Sequence, residues 1–231
     1  MTTDFSRFEN NIGIIFKNKD ILKQAFTHRS YLNEHRESEL KHNERLEFLG
    51  DAVLELIVTE YLYEKYPNSD EGELTAFRSA LVNAVTLSDA AGKIGMNDFL
   101  LLSKGESKDI GRARQIILAN TIEALIGAIY IDQGYDSAKY FISKYIFSLI
   151  EKIIEDKTWL DAKSKFQELS QENESITPSY KTLKEEGPDH DKKFTVGVFL
   201  EKEKVAEGEG KSKQEAEQEA AKNALKVKNW E

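Results

Sequence analysis

The 231-residue chain contains no cysteine. Disulfides, thiolate nucleophiles and Cys-ligated zinc are therefore excluded by inventory, and a reducing compartment is compatible with the composition. The N-terminus Met1-Thr2-Thr3-Asp4-Phe5-Ser6-Arg7-Phe8 lacks an apolar signal core. No segment reaches the roughly 18 to 20 uninterrupted apolar residues of a spanning helix. A soluble, cytoplasmic protein with no membrane partner is expected. Positive charge is also scarce: 32 Lys and Arg stand against 41 Asp and Glu, a formal net charge of -9. Such a balance argues against nucleic-acid binding by bulk attraction and leaves only local patches to do it. The four histidines, His28, His35, His42 and His190, show no ligand spacing, and there is no Gly-x-Ser-x-Gly elbow, His-Glu-x-x-His pair or EF-hand loop. Gly210-Lys211-Ser212 looks like the end of a phosphate-binding P-loop, but the glycine that motif needs five residues earlier is Val205, so no nucleotide cofactor is implied.

What remains is a foldable chain, 40% hydrophobic and 32% charged, long enough for one large or two small domains. To about Ile154 the apolar spacing is helical, with breaks at Tyr66 to Asp70, Gly92 to Gly95 and Asp132 to Gly134. This half reads as all-α. The character changes after Glu155-Asp156-Lys157-Thr158. A helix is predicted from about Asp161 to Asn173, followed by a Pro178-led stretch. Phe194, Val196, Val198 and Leu200 then alternate with Thr195, Gly197 and Phe199, as in a half-buried strand. Gly208-Glu209-Gly210 closes a shorter strand, and Lys211 to Lys226 has helical spacing. The expectation is a multidomain chain: an all-α domain over residues 1–156, a linker over 157–161 and an α-β-β-β-α module over 162–229.

The most unusual stretch is His42-Asn43-Glu44-Arg45-Leu46-Glu47-Phe48-Leu49-Gly50-Asp51. Glu44, Glu47 and Asp51 stand at i, i+3 and i+7, which a 3.6-residue period stacks on one helical face that repels itself. An acidic first turn capped by Asn43 accounts for Glu44. It does not account for Asp51, two turns in and followed by an apolar run. Buried carboxylates are costly without a positive partner, and a hard divalent cation takes oxygen ligands of this kind. A second anomaly is Glu123, alone in the apolar run from Ile116 to Tyr130, with Asn120 one turn before it on the same face. Either an Arg or Lys elsewhere pairs with Glu123, or it meets Glu47 and Asp51 across a helix pair so that acidic residues on two helices share divalent metal.

These residues carry a family resemblance. Asn43 to Asp51 resembles the nine-residue motif of ribonuclease III, Thr27-His28-Arg29-Ser30-Tyr31 the motif preceding it, and Glu123 to Tyr130 the second acidic helix. The segment from Gly208 to Ala221 is similar to the end of a double-stranded-RNA-binding domain. The resemblance implies a ribonuclease III nuclease domain followed by a double-stranded-RNA-binding domain. Its implied activity is an endonuclease that hydrolyses RNA duplexes with Mg2+ (Mn2+ as a possible substitute). It would act as a homodimer, leave 5′-phosphates and short 3′ overhangs, and serve rRNA and mRNA processing. Glu47, Asp51, Asn120 and Glu123 match the metal positions, with Asp51 and Glu123 catalytic, and Glu44 and Glu71 match supporting acidic positions. Phe48 resembles an aromatic that family members insert into the partner subunit, or is an ordinary core residue. Gln167, Glu168 and His190 match positions that enter successive minor grooves, and Lys211, Ser212 and Lys213 those that meet phosphate.

Two positions depart from the family pattern. Asn120 stands where aspartate is usual, which lowers the formal charge of the site and admits an alternative, a non-cleaving duplex-RNA binder. Gln214 replaces a usual basic residue. Over residues 163–228 there are 13 Lys against 14 Asp and Glu, so RNA binding must come from placement rather than total charge.

Overall fold

The computed structural model describes residues 4–151, 162–188 and 192–230. The chain divides into two compact units, Met1–Trp159 and Leu160–Glu231. The expected linker over 157–161 and His190 lie outside the described residues.

The first unit is helical: α1 (Phe5–Ile12), α2 (Lys19–Ala25), α3 (Arg29–Glu34), α4 (Glu44–Lys65), α5 (Glu71–Val82), α6 (Ala84–Lys93), α7 (Arg112–Gln133) and α8 (Tyr135–Tyr145), with short 3-10 turns between. Short polar side chains start several of them by accepting backbone N–H groups: Asp4 from Ser6, Asn18 from Asp20 and Ile21, Asp70 from Glu73, and Asn83 from Thr86. The predicted breaks fall where helices end. Gly95 and Gly134 take positive φ values of 75° and 85°, which end α6 and α7 at little steric cost.

Asn43 corrects an expectation. It precedes α4, but its side chain makes no capping bond; it is 3% exposed and its Nδ2 donates inward to Ala25 O at 3.2 Å. Its backbone N–H donates to Thr27 O at 2.9 Å, and Gln24 Nε2 to His42 O at 3.1 Å. The Thr27 segment is itself bridged to Leu101. The start of the acidic helix is thus anchored to the domain interior by long-range bonds, where a local cap would have been satisfied by sequence neighbours.

Eleven residues of α7 are buried, at the centre of a core that includes Leu54, Ile57, Leu81, Phe141 and the Phe5, Phe8, Phe26 and Phe99 ring cluster. By length and composition α7 is apolar enough to cross a membrane, but here it is the core helix of a globular domain.

The second unit runs α9 (Ala162–Glu174), β1 (Ser179–Glu186), β2 (Lys193–Leu200), β3 (Glu203–Gly210) and α10 (Lys213–Lys228). The strands form an antiparallel sheet in the order β1-β2-β3. The alternation in β2 holds in part: Val196, Val198 and Leu200 are at 4% exposure or less, but Phe194 is only half-buried, and Gly197 on the other face is buried because the Leu183 and Phe199 side chains lie against it. Phe166, Ala220, Ala221, Ala224 and Leu225 complete that core. Contrary to expectation β3 is no shorter than its neighbours, because the strand begins directly after the two-residue turn at Glu201 and Lys202, where Glu201 takes φ 51°.

Candidate active site and RNA interface

Helices α4 and α7 touch through backbone. A Cβ on Gly50 would lie 1.8 Å from Glu123 O, and one on Gly127 would lie 2.3 Å from Leu46 O. Only glycine at both positions allows this approach. Glu47 lies one turn before Gly50, Asp51 directly after it, and Glu123 one turn before Gly127. The carboxylates of α4 and α7 are therefore set on either side of the crossing point.

Their electrostatics follow from that placement. Glu123 is half-buried, and burial, then Asp51, then Glu47 push its carboxyl up from an ordinary 4.5 to about 8. Glu47 is also raised, first by burial and then by Glu44, with a smaller push from Asp51. A hydrogen bond from the Asn120 amide opposes the rise. Thus Glu47, Asp51, Asn120 and Glu123 act on one another across the helix pair. The alternative of a salt bridge for Glu123 finds no partner: among the described residues no Lys, Arg or His pairs with Glu47, Asp51 or Glu123. Nor, among the described residues, do three His, Cys, Asp or Glu side chains stand close enough to form a ready-made ion cage. Like-charged groups without a counter-ion lower their energy by staying apart. The donor set itself, carboxylate and amide oxygens with a half-buried uncompensated acid among them, is that of a hard-cation site.

Glu44 lies at the edge of this group, exposed, with Arg29 at 3.6 Å and His42 at 3.7 Å. Glu71 is not brought in. It is the first residue of α5, beyond the far end of a 22-residue α4, which at about 1.5 Å per residue is some 30 Å from the acidic end. Phe48 is no core residue, being 81% exposed. Ala52, Leu56 and Tyr63 continue its stripe along α4 in helical register, also exposed.

In the second unit Gln167 and Glu168, with Gln171 and Glu172, line a shallow cleft of about 420 Å³ on α9. At the start of α10 Ser212 Oγ accepts the Glu215 N–H at 3.1 Å, and Glu215 Oε2 accepts the Lys211 N–H at 2.8 Å. Lys211 and Lys213 are exposed at that end, and Lys213 Nζ is 2.8 Å from Glu185.

A family description, Ribonuclease-III-like, matches residues 18–150, and a second, the double-stranded RNA binding motif, matches 162–228. A ribonuclease 3 of Geobacillus kaustophilus is 46% identical over 223 residues, 96% of this chain and 90% of its own length. The chain belongs to the ribonuclease III family. A ribonuclease 3 of Staphylococcus aureus is likewise 46% identical, over 93% of this chain and 88% of its own. The nuclease-domain structure of ribonuclease III from Campylobacter jejuni is 37% identical, with a TM-score of 0.57, and covers 63% of this chain and 97% of its own. As a ribonuclease III with both domains, the chain is a double-strand-specific endoribonuclease, and the family's general need for a divalent metal agrees with the acidic donor set. What the sequence reading missed in this ribonuclease III is the part played by Gly50 and Gly127. The signal was present, since a glycine inside an apolar helix costs about 1 kcal/mol relative to alanine and calls for a packing reason.

Proposed function

We propose that the protein cuts both strands of RNA duplexes as a homodimer, using Mg2+ held by Glu47, Asp51 and Glu123 beside Asn120. Its products would carry 5′-phosphates and short 3′ overhangs, and its substrates would be rRNA and mRNA precursors in the cytoplasm. Mn2+ should substitute. The observation that carries this reading is the half-buried Glu123 carboxyl, pushed up to about 8 beside two further carboxylates with no cationic side chain to offset them.

When bound, a divalent ion supplies Lewis-acid stabilisation of phosphoryl oxygens and lowers the pKa of its water. The remaining work falls to the chain. With its carboxyl pushed up to about 8, Glu123 holds a proton at neutral pH, and binding of a cation there would be proton-linked. Asn120 donates to Glu47 and so orients a carboxylate of α4 from α7. The Gly50–Gly127 contact fixes the distance between the two helices and hence between their acids. In the second domain Gln167, Glu168 and His190 would address successive minor grooves, and Lys211 and Lys213 the intervening phosphates. The stripe of Phe48, Leu56 and Tyr63 suits a self-complementary twofold contact. Antiparallel mating of two α4 helices would also carry Glu71 toward the acidic face of the second copy.

Cleavage of a long RNA duplex by the purified chain tests the site. Glu123→Gln should reduce the rate at saturating Mg2+ by at least about a hundredfold while duplex affinity stays within about twofold. Retention of more than about a tenth of the parent rate would overturn the assignment. Phe48→Glu places a charge in the proposed interface and should convert dimer to monomer in sedimentation; an unchanged dimer would remove Phe48 from it.

A further inference from the structure

Around the start of α10 three lysines of the RNA-binding domain are already engaged in ion pairs. Lys213 Nζ lies 2.8 Å from Glu185 Oε1 and over the Phe194 ring, 5.7 Å from its centroid. Lys184 pairs with Glu186 at 2.7 Å, and Lys193 pairs with Glu209. The sheet register produces this arrangement. Glu185 is opposite Phe194, and Phe194 is opposite Gly210, so the end of β1, the start of β2 and the end of β3 meet beside the residues that open α10. Lys211 is different, forming no ion pair among the described residues.

The Lys213–Glu185 pair has a direct consequence for a phosphate. The ammonium that would donate to RNA already donates to a carboxylate, and the Lys213 contact holds the Glu185 carboxyl below its usual range. A phosphate must take the place of Glu185 and then tolerate its charge close by. Neither side chain is buried, with Lys213 56% and Glu185 40% exposed, so exchange is quick and the competition is a matter of equilibrium.

We propose that Glu185 sets the affinity and salt dependence of duplex binding by holding Lys213 in an intramolecular ion pair that an RNA phosphate has to displace. The inference rests on the reading of Lys213 as a phosphate contact. It explains how a domain with 13 Lys and 14 acidic residues can bind RNA without binding every polyanion: one of its two lysines at the helix start is muted. Release of Glu185 lets it recapture a cation when RNA binds, so the parent should show a shallower salt dependence than a variant lacking that carboxylate.

The test is equilibrium binding of the full chain to a long RNA duplex in EDTA, across a salt series. Glu185→Gln should bind about three- to fivefold tighter at low salt. It should converge with the parent at high salt, and its log–log salt slope should be steeper by up to about 0.9. Glu186→Gln removes the same charge one residue away, from a carboxylate paired with Lys184, and should do less. In a Lys213→Gln background the gain from Glu185→Gln should disappear. An unchanged affinity in Glu185→Gln while Lys213→Gln weakens binding would overturn the inference alone. A gain that persists without Lys213, or that Glu186→Gln matches, would also overturn it, as bulk charge. If Lys213→Gln binds like the parent, the phosphate-contact reading fails and the inference with it.

Discussion

In the nuclease domain Gly50 brings α4 against α7 until a Cβ would stand 1.8 Å from Glu123 O; in the RNA-binding domain Gly208 brings β3 against α10, 2.1 Å from Ala220 N by the same measure. Both units thus use a glycine to let backbones meet. What surrounds the two contacts differs. Around Gly50 stand Glu47 and Glu123, partly buried beside an exposed Asp51 and without counter-charge, so that packing raises the energy of the two ionised glutamates. Around α10 several charges are paired at the surface, as in the exposed Lys213–Glu185 pair and the half-buried Lys163–Glu217 pair. The lesson is that a catalytic site can hold destabilised ionisable groups because its core is rigid, whereas a surface reading RNA shape gains from charges that cost little to rearrange.

The largest effect is expected from adding one methyl group at the helix crossing. Gly50→Ala forces backbone apart and should cost several kcal/mol, enough to unfold the nuclease domain and end cleavage. The RNA-binding domain should keep its own hydrogen-exchange protection, because it has a separate core. Gly208→Ala should do the reverse. A single loss of protection across both units in either variant would show that the two cores are not independent.

A smaller effect comes from titration. The folded Glu123 carboxyl keeps its proton to about pH 8, whereas an unfolded glutamate releases it near 4.5, so the metal-free fold holds the extra proton between those values. Its stability should therefore fall as pH rises through that window, by about 2 kcal/mol after allowance for solvent screening, or about 5 °C in Tm. Mg2+ should flatten the decline and Glu123→Gln should remove it. A metal-free Tm that does not fall between pH 5 and pH 8, where other acids are held equal by the Gln variant, would mean that Glu123 is not the buried acid of the fold.

Asn120→Asp should have the smallest effect and a sign that depends on metal. Without it, the loss of the Asn120–Glu47 hydrogen bond and the added charge should lower stability by about 1 kcal/mol. With it, the extra carboxylate should reduce the Mg2+ concentration needed for half-maximal cleavage. Identical thermal unfolding and metal titrations in the two proteins would remove Asn120 from the site.

Several features were legible along the chain because they are local. Helical and strand periods, the breaks before Pro67 and at Gly134, the change of character after residue 155 and the i, i+3, i+7 acidic face all follow from side-chain spacing, which the backbone converts to direction without reference to anything distant. The resemblance of Asn43 to Asp51 and of Gly208 to Ala221 is local in the same sense. Only tertiary structure decided that α4 crosses α7 at Gly50 and Gly127, that Asn43 turns inward to Ala25, that Phe48 faces outward, and that Lys213 at the start of α10 meets Glu185 of β1. The three contacts join residues far apart in sequence, and the outward face of Phe48 is what the packing of the rest of α4 leaves uncovered. The raised Glu123 carboxyl belongs with them, since desolvation and like charge are set by what packs around a side chain, and periodicity specifies a face without specifying its neighbour.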